Sequence, residues 1–130
     1  MGSASDDIAA GIIAKWSAAF AKLDAAALSS LYSKSALFYG SNPMLYRGRD
    51  GVKSYFTGLP RWNAQSVRFT DISTAAAGAD VVNMAGTANF AVDDATLTVK
   101  ITWVIVREDG DWKIVSHHVS SKAPLIDQVR

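Results

Sequence analysis

Two adjacent histidines, His117 and His118, are the side chains best suited to acid–base or hydrogen-bond chemistry near neutral pH, and they are the only histidines in the sequence. They lie in the run Trp112-Lys113-Ile114-Val115-Ser116-His117-His118-Val119-Ser120, which reads as a strand. Neighbours on a strand point to opposite faces, so one histidine can enter a pocket while the other faces away. Which one enters depends on the preceding turn. A two-residue Asp109-Gly110 turn pairs Trp103 with Ser116 and aims His118 inward; a three-residue Glu108-Asp109-Gly110 turn, with Gly110 left-handed, pairs Trp103 with Val115 and aims His117 inward. The second turn puts Val115 and Val119 on the apolar face, whereas the first brings in Ser116, His118 and Ser120. His117 is therefore the expected inward residue, with His118 as the alternative.

The rest of the reactive inventory is thin. With no cysteine there is no disulfide, thiolate ligand or thiol nucleophile, and two diverging histidines do not make a metal site, so neither metal nor cofactor is expected. The acidic residues fall at helix caps (Asp6, Asp24, Asp50) or in turns (Asp80, Asp93, Asp94, Glu108, Asp109, Asp111), where capping or solvation accounts for them. Asp71, near a strand end, is the exception and an alternative polar handle. Arg47 and Arg49, either side of Gly48, are candidates for a pocket rim, against a plain reading as solvated loop charges. Aromatic residues are in surplus: four Trp, four Tyr and five Phe. Trp16, Phe20, Tyr39, Tyr55, Trp62 and Trp103 are candidate pocket walls, with ordinary core packing as the competing role.

These residues have to be positioned by the chain's periodic segments. Ile8, Ile12, Trp16, Phe20 and Leu23 recur at three- and four-residue steps, predicting an amphipathic first helix capped by Ser5 or Asp6. Asp24 caps a second, Ala25 through Leu31-Tyr32, before a strand at Ala36-Leu37-Phe38-Tyr39-Gly40. Asp50 caps a third helix carrying Val52, Tyr55 and Phe56 and closed by Gly58-Leu59-Pro60. Strands follow at Ser66 to Ile72, Val81 to Val92, Ala95 to Arg107 and Trp112 to Ser120, with Ala75-Ala76-Ala77 read as loop. In the third of these Leu97, Val99, Ile101, Trp103 and Ile105 share one face, and Thr96, Thr98, Lys100 and Thr102 the other. Val104 and Val106 lie with the threonines, giving a face less polar than a solvated sheet and suited to a second copy of the chain. Helices first and a meander last predict an α+β domain with helices packed on one face of an antiparallel sheet.

The chain's 130 residues make a single domain, 1–130, and 49% hydrophobic residues supply one sizeable core. A net charge of +1 provides no field for nucleic acid or an anionic membrane. No stretch is apolar enough to span a bilayer, and Met1-Gly2-Ser3-Ala4-Ser5-Asp6-Asp7 lacks the basic flank of a signal peptide. The expectation is a soluble, cytoplasmic protein, with an export signal already removed left open.

The order helix, helix, strand, helix, meander, closing on Gly110-Asp111-Trp112-Lys113-Ile114-Val115-Ser116-His117-His118-Val119-Ser120, resembles the nuclear transport factor 2-like (polyketide cyclase and ketosteroid isomerase-like) superfamily. Trp16, Leu31-Tyr32, Phe38-Tyr39-Gly40, Tyr55-Phe56 and the closing His-His-x-Ser-Ser look most like the calcium/calmodulin-dependent kinase II association domains and their small bacterial relatives. The resemblance implies a cone-shaped barrel, a curved sheet around a long helix with a pocket at the wide end, and dimerisation through the sheet's outer face. In isomerases of this kind a carboxylate base follows the first strand, where this sequence has Tyr39-Gly40-Ser41 and no carboxylate. Association domains hold small carboxylates with arginines on the last two strands, at positions that match Trp103 and Val119 here. With both charges gone, an apolar, aromatic pocket including Val119 is expected, suited to a small hydrophobic or aromatic molecule. Three functions remain in view: a small-molecule-binding protein or accessory factor, a ligand-free dimerisation module, and an isomerase or cyclase that needs Asp71 or a histidine as a buried base.

Overall fold

The structure is a computed structural model and describes residues 3–124 and 126. Helix α1 spans Ala4–Ala21 and starts two to three residues earlier than its periodicity suggests, because Ser3 takes the cap. The Ser3 hydroxyl accepts from the Asp6 N–H at 3.1 Å and the Asp6 carboxylate accepts from the Ser3 N–H at 3.3 Å, a reciprocal box that satisfies two free helix-end donors. Asp24 caps α2 as expected, but this helix covers only Ala25–Ser29. Strand β1 then runs Tyr32–Tyr39, so Tyr32 belongs to the sheet and not to a helix end. A short strand, β2, Leu45–Arg47, occupies what reads as loop in the sequence. Helix α3, Gly48–Thr57, enters through Gly48 at φ +67°, with Asp50 in its first turn instead of at its cap.

Strands β3 (Gln65–Ala76), β4 (Val81–Val92), β5 (Ala95–Glu108) and β6 (Asp111–Ser121) form the meander, and Ala75 and Ala76 are part of β3. The sheet order is β2-β1-β6-β5-β4-β3. All neighbours are antiparallel except β1 and β6, which run parallel, so the α+β class holds with a mixed sheet that stays open between β2 and β3. The helical stripe Ile12, Trp16, Phe20 is buried against the face of β5 that carries Val99, Ile101, Trp103 and Ile105. Trp16 sits at the centre, its ring 5.7 Å from Phe69, 5.8 Å from Phe56 and 6.3 Å from Trp103. At these edge-on and tilted angles the rings pack the centre of the layer between helix and sheet.

Two irregularities set which side chains face the core. The β5–β6 connection is the two-residue turn Asp109-Gly110, both residues at positive φ (52° and 84°), with Glu108 opposite Asp111. The three-residue turn expected from the sequence is not used. Continued unchanged, the observed turn would place Ser116 opposite Trp103. Instead Ile105 pairs with Ile114 and Val104 with Ser116, so Val115 is an extra residue, and beyond it Trp103 pairs with His117. His117 thus faces inward by way of a β-bulge. On β3 the register shifts between Thr70 and Ser73, and Asp71, at φ 55°, sits exposed in that irregularity opposite Gly86.

Candidate functional site

Between α1, α3 and the concave face of the sheet lies a cavity of about 230 Å³. Trp16, Phe38, Phe56 and His117 are buried residues of its wall, whereas Ser41, Pro60 and Leu97 are exposed and mark its mouth. None of the described residues lining it is charged. A dry 150 Å³ cavity lined by aliphatic and aromatic side chains accommodates benzene, so this volume has room for a fused bicyclic molecule.

His117 is the polar element of the wall, only 4% exposed. The Trp103 indole N–H donates to His117 Nδ1 at 2.9 Å, and the Tyr32 hydroxyl lies 2.9 Å from the same nitrogen. Tyr32 in turn accepts from the Trp16 indole N–H at 3.0 Å. These partners fix the tautomer. An indole nitrogen only donates, so Nδ1 must be bare, and the neutral ring carries its proton on Nε2. One face of the ring stacks on Phe38 at 4.0 Å and 19°, and the Nδ1 edge is taken by Trp103 and Tyr32. The opposite edge is left for the cavity: Nε2 makes no hydrogen bond to any described residue and is not among the polar atoms sealed away from water, so it is open to the space. Burial, and secondarily the repulsive charge of His118, pull the His117 pKa down to about 3, so the ring is neutral at physiological pH. Burial likewise pushes the Tyr32 phenol far above its ordinary range, keeping it a hydroxyl.

A second polar group sits at the mouth. The Tyr55 hydroxyl donates to Ser41 Oγ at 2.8 Å and accepts from the Ser41 N–H at 2.9 Å, pinning the end of β1 to α3. Gly40 permits this contact, because a Cβ there would clash with the Tyr55 side chain, 2.6 Å from its hydroxyl.

Of the sequence-derived candidates, Trp16, Phe20, Tyr55, Trp62, His117 and Val119 line the cavity. Tyr39 does not: strand alternation turns it outward, 42% exposed, and puts Phe38 on the inner face. Trp103 is fully buried behind His117, where it positions the imidazole and forms no part of the cavity wall. His118 faces the opposite side of the sheet beside Tyr39, and Asp71 and Arg47 are exposed away from the cavity. Arg49 lies 3.7 Å from Glu108, whose carboxylate also accepts from Ser33 and from the Lys34 N–H, a clamp joining the start of β1 to the end of β5. Phe38, Phe56, Phe90 and Val99 line the cavity without being among the pocket residues expected from the sequence, and Tyr32 is not among the expected site residues either. The run Ala36-Leu37-Phe38-Tyr39 is apolar on both faces and gives no signal for Phe38, and Tyr32 was hidden by its reading as a helix end. Among the described residues no three of His, Asp and Glu converge as metal ligands, and no helix is long and apolar enough to cross a membrane.

A search of curated proteins finds no match. Solved structures agree on the fold. A protein from Xanthomonas campestris assigned as a calcium/calmodulin dependent protein kinase II association domain superposes with a TM-score of 0.81 at 20% identity, covering 96% of this chain and 91% of that one. One from Streptomyces avermitilis, assigned as a dehydratase of the nuclear transport factor 2-like family, gives 0.79 at 19%, with 92% and 97% covered. Another from Novosphingobium aromaticivorans, assigned as a scytalone dehydratase, gives 0.80 at 14%, with 90% and 83% covered. At these identities the likeness carries the fold alone. The sequence model of the SnoaL-like domain matches residues 10–124, which takes in every helix and strand except the first turns of α1, and on that match the chain belongs to the SnoaL-like domain family.

Proposed function

We propose that this chain binds a small, neutral, largely apolar molecule in the cavity beneath α1 and α3. The observation that carries the reading is the wall itself: an aromatic and aliphatic surface with no charge among the described residues and one buried imidazole presenting its free edge to the space. A neutral molecule of bicyclic size gains apolar burial there without stranding a charge. The isomerase or cyclase reading needs a buried base. Asp71 is exposed, and the only bare nitrogen of His117 is already engaged by Trp103 and Tyr32, so neither supplies one. Titration with the hydrocarbon indane, followed by quenching of the cavity tryptophans Trp16 and Trp62, tests the reading: saturable quenching supports it, and none at the solubility limit counts against it.

The proposal includes a homodimer through the outer sheet face. Leu37, Ser116 and Val104 form one cross-strand row there, and Tyr39, His118 and Thr102 the next. Leu37 is 45% exposed and Tyr39 42%, a pair of large apolar side chains side by side in water. A second copy covering this face would bury both, with Thr96, Thr98 and Val106 of β5 extending the contact.

A further inference from the structure

We infer that the cavity discriminates in favour of ligands bearing a hydrogen-bond acceptor, such as a ketone, ester or ether oxygen, and that Trp103 and Tyr32 are the positioning residues that impose this choice through His117. The inference rests on the cavity being a ligand site. A histidine in a binding wall ordinarily offers either a donor or an acceptor, because the neutral ring can move its proton between two nitrogens. Here that freedom is removed. Trp103 N–H lies 2.9 Å from Nδ1 and can only donate, so a proton on Nδ1 would set two donors against each other in a buried space. The Tyr32 hydroxyl accepts from Trp16, which leaves its own proton to be donated, and Nδ1 is 2.9 Å away. Trp103 thus requires a bare Nδ1, the Tyr32 hydroxyl can donate to the same nitrogen, and the cavity edge of the ring carries a donor and not an acceptor.

The surroundings sharpen that preference. The wall around His117 is largely apolar and no described residue accepts from Nε2–H, so a hydrocarbon that displaces water from the cavity strands this donor. A ligand oxygen placed there relieves this. A ligand presenting an N–H or O–H hydrogen at the same point meets a second donor, and a cation meets no counter-charge in the wall. The fold therefore selects chemistry by one proton, whose place is set by two side chains that do not touch the ligand.

The test uses the full chain and two probes of matched shape, indane and 1-indanone, which differ by a carbonyl oxygen, with affinities from calorimetry and the ketone stretch of bound 1-indanone from infrared difference spectra. The expected result is 1-indanone binding about tenfold more tightly than indane, with its stretch moved to lower frequency. His117→Asn keeps an acceptor for Trp103 at the Nδ1 position but has no group at Nε2, and should erase both the preference and the shift while indane still binds. Trp103→Phe should narrow the gap without removing indane binding, because the paired comparison cancels any change in cavity shape. Equal affinity for the two probes, with an unshifted stretch, overturns the inference while leaving the cavity a ligand site. Binding of neither probe overturns both. Should either variant fail to fold, the wild-type affinity ratio and carbonyl shift still decide.

Discussion

Trp103 and His117 face each other across the β5–β6 pair, joined by a 2.9 Å hydrogen bond from the indole to Nδ1 that exists because Val115 bulges out of β6. Without that extra residue Ser116 would stand opposite Trp103, and the imidazole would be on the far side of the sheet. One inserted residue therefore decides that His117, and not His118, faces the cavity. Trp103 itself has no exposed surface and packs on Phe69 at 5.4 Å as well as on Trp16.

Trp103→Ala should accordingly cost about 3–5 kcal/mol of unfolding free energy, as expected for truncating a packed aromatic, measured by urea denaturation. Because Trp103 lies behind the cavity wall, a loss of this size is compatible with a ligand site. A loss under about 1 kcal/mol would mean that the indole is not packed as described.

Stability should fall with pH earlier than carboxylate titration alone would produce. The folded His117 holds its pKa near 3, while an unfolded histidine titrates near 6.5. Between those values the unfolded chain takes up a proton that the folded chain refuses, so the contribution is complete above about pH 6.5 and is lost progressively as pH drops towards 3. Asp6, held below its usual range first by the Thr74 hydrogen bond, and Glu108, first by Ser33, add their own losses only at lower pH. Unfolding midpoints from pH 7 to 5 isolate the histidine. The wild type should lose stability across this window and His117→Phe should show a flatter slope; identical slopes would contradict the buried neutral ring.

Gly40→Ala should disturb the mouth of the cavity. The added methyl must displace the Tyr55 ring, breaking its paired bonds to Ser41, at a cost of about 1–3 kcal/mol. Thermal unfolding gives the loss, and indane affinity should change with it; an unaltered melting temperature would show that Tyr55 has another place to go.

Tyr39→Asp, on the exposed face, should convert a dimer into a monomer with little effect on the monomer's fold, read by light scattering at micromolar concentration. A wild type already monomeric under those conditions would end the dimer proposal.

The elements that carry a strong period were readable before any coordinates. The stripe Ile12-Trp16-Phe20 and the alternation Val99-Ile101-Trp103-Ile105 fall where the period puts them, and together they make the core. Connections were less legible. The bulge at Val115 leaves no mark in a run of Ile114-Val115-Ser116, and it was the compensation for a turn one residue shorter than expected, so His117 came out on the predicted face by a different route. Tyr39 and Phe38 could not be told apart because both faces of that strand are apolar, and the parity of β1 is settled only by its pairing with β6. The network of Trp16, Tyr32, Trp103 and His117 joins four separate elements or strands, and no local pattern announces such a meeting.

The most direct test is the protonation state of His117, observed through its ring nitrogens by ¹⁵N NMR of the full chain labelled at histidine, with His118→Gln to assign the two rings. A neutral ring with the proton on Nε2 and a bare Nδ1, unchanged from pH 8 to pH 5, and an Nε2–H resonance that moves when 1-indanone is added, is the predicted result. A ring that titrates between those limits, or one that carries its proton on Nδ1, would contradict the geometry on which the proposed binding site depends.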